Sequence, residues 1–239
     1  MKLKIYTCSK CVGEIHRFIK FGKTPGGKQW YQCSGCKKTS VLEYDNVACK
    51  EEINKKIVLL TKEGLGIRST ARVLKISPTT LLKRLLQISQ AIKPPIMSFK
   101  KEYQVDEICT YVRTKSNRIW IAYGLETITK KVAYFSVGKR NNTTLLKVIH
   151  PLILSKPVKI NTDRLKHYAY LIPKTIHQTK KYGTNTIERK NLSMRTHLKR
   201  LNRRTICFSK SLRMLNAILK IYFWAEITWK LIIETFYYL

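Results

Sequence analysis

The chain has 239 residues, of which 44% are apolar, enough for a folded core rather than a disordered tail. Its 47 Lys+Arg stand against 14 Asp+Glu, a formal net charge of +33, which repels itself in a compact fold unless a polyanion neutralises it. Nucleic acid is therefore the expected partner and a membrane is not, since no run of about 18 apolar residues occurs.

Residues 1–10 carry no apolar signal segment, so a cytosolic location is expected. Residues 1–45 are rich in Cys, Gly and aromatics and read as a first module. Cys8-x2-Cys11 and Cys33-x2-Cys36 are separated by 21 residues. Each pair presents two thiolates to one ion, and four thiolates complete a closed tetrahedral zinc site, the zinc-ribbon pattern. Gly13, Gly26, Gly27 and Gly35 suit its tight turns. One structural zinc ion is expected, with His16 not needed as a ligand. Cys49, Cys109 and Cys207 are isolated and read as small apolar residues.

Residues 46–91 have helical spacing. Ile53, Ile57, Leu59 and Leu60 mark a helix over 51–62, stopped by Gly64 and Gly66. A second helix over 67–74 and a turn at Lys75-Ile76 follow. Ser77-Pro78, an N-cap and a first-turn proline, then opens a third helix over 79–89. That succession matches a DNA-binding helix-turn-helix. Thr79, Thr80, Lys83, Arg84 and Gln87 would face the major groove, and Arg68 and Arg72 would hold phosphates. Residues 92–100 contain Pro94-Pro95 and read as a linker.

From residue 101 the pattern alternates. Residues 103–113, 118–126 and 131–138 are three predicted strands of an antiparallel meander, joined through 115–117 and 127–130. A helix over 142–154 and a strand over 157–161 imply a crossover into a partly parallel sheet. Helices are predicted over 185–202 and 210–238. In the last, Glu226, Lys230 and Glu234 form one polar stripe on an otherwise apolar helix.

Between residues 127 and 225 there are 22 Lys+Arg and only two acids, Asp163 and Glu188. An acid on a phosphate-binding surface repels the ligand unless it holds a cation, so these two point to Mg²⁺ or Mn²⁺. A third carboxylate is expected from Asp106 or Glu107, which point to opposite faces of one strand. Arg195 follows Glu188 by two helical turns, and Arg189, Arg200 and Arg203 add to a basic clamp for the DNA backbone. His150, His167, His177 and His197 have no metal-ligand spacing.

Three stretches resemble the DDE transposases of insertion sequence one. They are Val105-Asp106-Glu107 with Tyr111-Val112, then Thr162-Asp163, then Ile187-Glu188-Arg189 with Asn191-Leu192, Arg195, His197-Leu198 and Arg200-Leu201. The run from Arg203-Arg204 to Ser211 is also similar, as is the order of zinc finger, helix-turn-helix and catalytic part. Lys190 stands where that family often has His. The resemblance selects Asp106 as the third acid. It implies an α/β, ribonuclease H-like mixed-sheet catalytic domain over 101–239, two divalent metal ions held by Asp106, Asp163 and Glu188, and binding to terminal inverted repeats and target DNA. It also implies 3′-end cleavage followed by strand joining, with no covalent protein intermediate, in a prokaryotic, nucleoid-associated protein. Several copies are expected to assemble on DNA. The family often makes its full enzyme by ribosomal frameshifting, and this continuous chain resembles the fused form. A non-enzymatic DNA-binding protein and a nuclease that cuts without joining are the alternative readings.

Overall fold

The computed structural model describes residues 8, 10–11, 16–42, 48 and 52–236, with side chains as far as residue 225. Cys49 and the polar stripe at Glu226, Lys230 and Glu234 lie outside the described side chains. Contacts divide the chain into two compact units, one built on Met1–Ile53 and one on Asn54–Trp229.

The first unit is a small antiparallel sheet of β1 (Phe18–Lys23), β2 (Gln29–Cys33) and β3 (Thr39–Ser40), in that order. Gly27, at φ +79°, turns the chain between β1 and β2, where its N–H donates to the Thr24 carbonyl. Lys37, at φ 61°, turns it again after β2.

The second unit begins with α1 (Ile53–Lys62), α2 (Ile67–Val73) and α3 (Pro78–Ala91). Gly64 ends α1 region at φ +77°, and a Cβ there would lie 1.8 Å from the His197 carbonyl oxygen, so only glycine fits. Ser77 caps α3 by accepting from the Thr80 N–H at 3.0 Å, with Pro78 in the first turn, as the sequence predicts. Leu81, Leu85 and Ile88 bury one face of α3.

A five-stranded sheet follows, in the order β6-β5-β4-β7-β8. Its strands are β4 (Glu102–Val112), β5 (Thr114–Glu126), β6 (Val132–Gly138), β7 (Lys159–Thr162) and β8 (His177–Gln178). The pairs β4–β5 and β5–β6 are antiparallel, whereas β4–β7 and β7–β8 are parallel. The helix α4 (Asn142–Leu154) makes the expected crossover between β6 and β7. This is the mixed-sheet core typical of ribonuclease H-like enzymes.

Three details differ from the sequence reading. β5 starts at Thr114, so residues 115–117 belong to the strand. A short helix, α5 (Lys166–Leu171), and the two-residue β8 were not predicted. The helix expected over 185–202 ends as α6 (Asn185–His197), followed by a 3-10 turn at Lys199–Leu201. The last helix, α7, spans Leu212–Phe236.

The sheet has two apolar faces. On one, Tyr103, Val105 and Ala122 pack against Leu145, Val148, Ile149 and Leu152 of α4 and against Tyr168 of α5. A Cβ on Gly124 would meet Leu152 Cδ1 at 2.7 Å, so this glycine lets α4 approach. On the other face Tyr123 stacks on Phe223 of α7 at 5.9 Å, and Phe135 meets Phe223 and Trp224. Trp224 Nε1 donates to the Val132 carbonyl at 2.8 Å, fastening α7 to β6.

Candidate active site

Asp106 and Glu107 are neighbours on β4 and fall on opposite faces, as alternation requires. Glu107 turns toward α4 and α5. It is 8% exposed, pairs with Arg140 at 3.0 Å and accepts a hydrogen bond from the Tyr168 hydroxyl. Asp106 turns toward α6. Its Oδ1 accepts from the Glu107 N–H at 2.7 Å and its Oδ2 from Asn191 Nδ2 at 2.6 Å. Among the described residues Asp106 has no ion pair. Its carboxyl is pushed up to about 6, chiefly by burial and then by the nearby charges of Glu107 and Asp163, against the two N–H donors, which pull the other way.

Asp163 stands just past the end of β7. In the parallel β4–β7 pair Val105 is opposite Thr162, so the next residues, Asp106 and Asp163, leave adjacent strand positions together. Glu188 lies in the first turn of α6. That turn is docked on the sheet by the Ile187 N–H, which donates to Gln104 Oε1 at 2.7 Å, and by the Tyr123 hydroxyl, which bonds Asn191 Oδ1 at 2.7 Å. Asp106, Glu188, Asn191, Arg195 and Arg203, with Glu107, line one cleft of about 370 Å³.

The gathering of the three acids is partial. Asp163 is exposed and its Oδ1 accepts from the Leu165 N–H at 3.0 Å, while Glu188 Oε1 accepts from Thr184 Oγ1 at 2.9 Å. Among the described residues, only the four cysteines form a group of three or more ligating side chains with atoms within 4.8 Å of one another.

The basic residues divide into two kinds. Arg195 is half-buried, and its Nε, itself shut off from solvent, has no hydrogen-bond partner among the described residues. Burial and then the Arg203 charge lower its pKa, and the Asp106 charge across the cleft works against them. Arg189 and Arg203 are exposed. Arg200 is instead tucked in: it donates to Ser209 Oγ at 2.9 Å, and its carbonyl accepts from Thr110 Oγ1 at 3.0 Å. Arg68, Arg72, Thr79 and Lys83 are exposed on the three-helix segment, and Thr80 and Arg84 are half-buried. Gln104, Tyr123 and Asn191 were not singled out by sequence reasoning. Of these only Asn191 left a trace, its place one turn after Glu188 in the motif.

In the first unit Cys8 Sγ lies 3.4 Å from Cys36 Sγ, and Cys11 Sγ 3.9 Å from Cys33 Sγ. A tetrahedron with bonds of about 2.3 Å has edges of about 3.8 Å, so the four sulfurs already have the dimensions of a metal cage. The N–H groups of Lys10 and Cys11 hold the Cys8 thiol down at about 6, whereas its crowded neighbours push Cys11 up to about 12. Four sulfurs gathered at this spacing are consistent with a zinc-binding module, where the cation offsets the repulsion between thiolates. The His16 ring is not part of it and packs over Gly35, where a Cβ would lie 2.6 Å from Nε2.

The family model of the IS1 transposase matches residues 102–228. The iso-IS1n protein InsB of Shigella dysenteriae is 34% identical over 111 residues, 46% of this chain and 85% of that protein. The IS1 protein InsB of Shigella flexneri is 33% identical with the same coverage. Among solved structures, the HTLV-2 integrase catalytic core domain in complex with magnesium covers 54% of this chain and 86% of that one, at 20% identity and a TM-score of 0.35. So low an overlap leaves the fold to the sheet order and the family match. Among the described residues no helix is long and apolar enough to cross a membrane.

Proposed function

Because the chain belongs to the IS1 transposase family, we propose that it is a DDE-type transposase that binds the terminal inverted repeats of its element, cleaves at the 3′ ends and joins them to target DNA. The observation that carries this reading is Asp106. It is an acid in a strongly basic chain, without an ion pair among the described residues, beside the strand that leads to Asp163 and tied through Asn191 to the helix that carries Glu188.

Asp106, Asp163 and Glu188 fit divalent metal as a donor set, being hard oxygen ligands among phosphate-binding cations. Asp163 and Glu188 would exchange their local donors, Leu165 N–H and Thr184 Oγ1, for a shared ion. Two Mg²⁺ or Mn²⁺ ions bound there would supply the Lewis acidity for in-line phosphodiester displacement. Arg195 and Arg203 would receive the phosphate at the cleft that they line with Asp106 and Glu188. Arg189 would extend this contact along the backbone, whereas the tucked guanidinium of Arg200 would act by bracing the segment at Ser209.

Residues 1–45 would carry one structural zinc on Cys8, Cys11, Cys33 and Cys36. Residues 46–91 would be the helix-turn-helix that reads the repeats, with Thr79, Thr80, Lys83 and Arg84 toward bases and Arg68 and Arg72 on phosphates. Residues 92–100 would link it to the catalytic domain, 101–239. Several copies would assemble on DNA, in the nucleoid of a bacterium.

The test is incubation of the full-length, zinc-loaded protein with Mg²⁺ and the DNA flanking its own coding region. Nicking at a 3′ end, and joining of a pre-cleaved 3′-hydroxyl end to a target duplex, are expected. Sequence-specific binding with neither reaction would replace the proposal by a non-enzymatic DNA-binding protein. Nicking without joining of the pre-cleaved end would leave a nuclease.

A further inference from the structure

Asp106 and Tyr123 are opposite each other across the β4–β5 pair, and Asn191 of α6 sits over both. Its Nδ2 donates to Asp106 Oδ2 at 2.6 Å, and its Oδ1 bonds the Tyr123 hydroxyl at 2.7 Å. The two ends of an amide are chemically distinct, one a donor and the other an acceptor. Reversed, Asn191 would set its oxygen against a carboxylate oxygen, two acceptors in contact. The Asp106 carboxylate, an acceptor only when ionised, disfavours that arrangement. The Tyr123 hydroxyl supports the observed one by donating to Oδ1, with the Ile187 carbonyl as its second, longer acceptor at 3.3 Å. It is a firm anchor, because the Tyr123 ring is fully buried and stacked on Phe223.

We propose that Asn191, oriented by Tyr123, is a positioning residue for strand cleavage: it fixes the rotamer of the Asp106 carboxylate and locks the helix bearing Glu188 to the strand bearing Asp106. The inference rests on the reading of Asp106 and Glu188 as metal-holding acids. One Asp106 oxygen is held by a strand amide, the Glu107 N–H, and the other by a helix amide, so the carboxylate plane is fixed relative to both elements. Each oxygen keeps a second lone pair for a cation, and Asp106 lines the cleft shared with Glu188. A ligand held in this way does not spend binding energy on being ordered. Gln104, which accepts from the Ile187 N–H, sets the start of α6, and Asn191 sets its rotation one turn later.

The test uses the full-length, zinc-loaded protein, with Mn²⁺ binding followed by electron paramagnetic resonance and DNA cleavage followed as a function of Mg²⁺. Asp106→Asn identifies the part of the Mn²⁺ binding that belongs to this site. Asn191→Ala is expected to weaken that part about tenfold and to raise the Mg²⁺ requirement by a similar factor, with cleavage recovering at high metal. Tyr123→Phe keeps the ring stack and removes only the hydroxyl, and should weaken binding in the same direction by a smaller factor. DNA affinity without metal should stay within about twofold in both, since neither change alters charge. Wild-type Mn²⁺ affinity and Mg²⁺ dependence in both variants would overturn the proposal. So would a loss of thermal stability and cleavage with the metal dependence unmoved, because that is a packing role. If Asp106→Asn itself leaves Mn²⁺ binding intact, the metal site fails first and Asn191 loses its role with it.

Discussion

The two sides of β4 treat a carboxylate in opposite ways. Toward α4 and α5, Glu107 is closed off by the Arg140 guanidinium and the Tyr168 hydroxyl, and Arg140 is itself held over the Trp120 ring at 4.4 Å. Toward α6, Asp106 is met by two N–H donors and, among the described residues, by no ion pair, with Arg195 acting on it only across the shared cleft, and burial is the main cause that brings its carboxyl up to about 6. A neutralised acid is complete and can only brace the fold. An acid without an ion pair in a chain of net charge +33 is, under the proposed function, the one that would hold a metal ion.

The largest effects are expected when each carboxylate charge is removed in turn. Asp106→Asn, Asp163→Asn and Glu188→Gln should each lower strand cleavage on the order of 10²–10³-fold, the scale of one lost electrostatic contact at a reacting centre. DNA binding without metal should persist or tighten, because an acid that repels phosphate has gone. A gel-based nicking assay beside a binding titration separates the two effects. Normal cleavage by Glu188→Gln would defeat the assignment.

Glu107→Gln should do the reverse. It leaves Arg140 without its partner and should cost about 2 kcal/mol of stability, below the range for a fully buried pair because Arg140 is 35% exposed. Cleavage per folded molecule should remain within about threefold, measured at a temperature where the variant is folded. A steep catalytic loss with unchanged stability would mean that the two faces are not divided as described.

The asymmetry should also appear as a pH dependence of the metal-free fold. Asp106 is held above the ordinary carboxylate value of 3.8, so the folded chain keeps a proton that the unfolded chain has released. Its contribution to stability is therefore full below about 4 and is lost as pH rises to about 6. Asp106→Asn should flatten that slope and raise stability at pH 7 by about 1–2 kcal/mol, a value discounted for the partial exposure of the group. Denaturant melts at pH 4, 5, 6 and 7 measure it. A wild-type slope of the opposite sign would show that other groups dominate.

Much of this was legible in the sequence because it is local. Two Cys-x2-Cys pairs specify a cage, Ser77-Pro78 specifies a helix start, and a run of cations broken only by Asp163 and Glu188 draws attention to both. The long strands β4 and β5 alternate strongly enough to be read. The helix α5, of six residues, and β8, of two, are too short to show a period. The network around Asp106 is hidden for another reason. Asn191 is 85 positions from Asp106 and 68 from Tyr123, so only the folded chain brings donor and acceptor together. The same holds for Glu107 and Arg140, 33 positions apart, whose pairing is what separates Glu107 from the site.

The cations divide in the same way as the acids, and the smallest effect is expected among them. Arg140, although exposed, is engaged with Glu107, and the half-buried Arg200 with Ser209, so each already has a partner in the fold. Arg203 is exposed on the cleft. A cation that neutralises one phosphate releases condensed counterions, and its removal lowers the slope of log affinity against log salt by about 0.9. Arg203→Ala should therefore weaken binding to any duplex a few-fold at moderate salt, with the slope reduced by about one, and leave sequence preference unchanged. Arg140→Ala and Arg200→Ala should lower thermal stability with little change in the slope. Fluorescence anisotropy at four salt concentrations distinguishes them. Equal slopes in all three variants and the wild type would mean that engagement within the fold does not decide which cations meet DNA, and the division between closed and open charge would then hold for the acids alone.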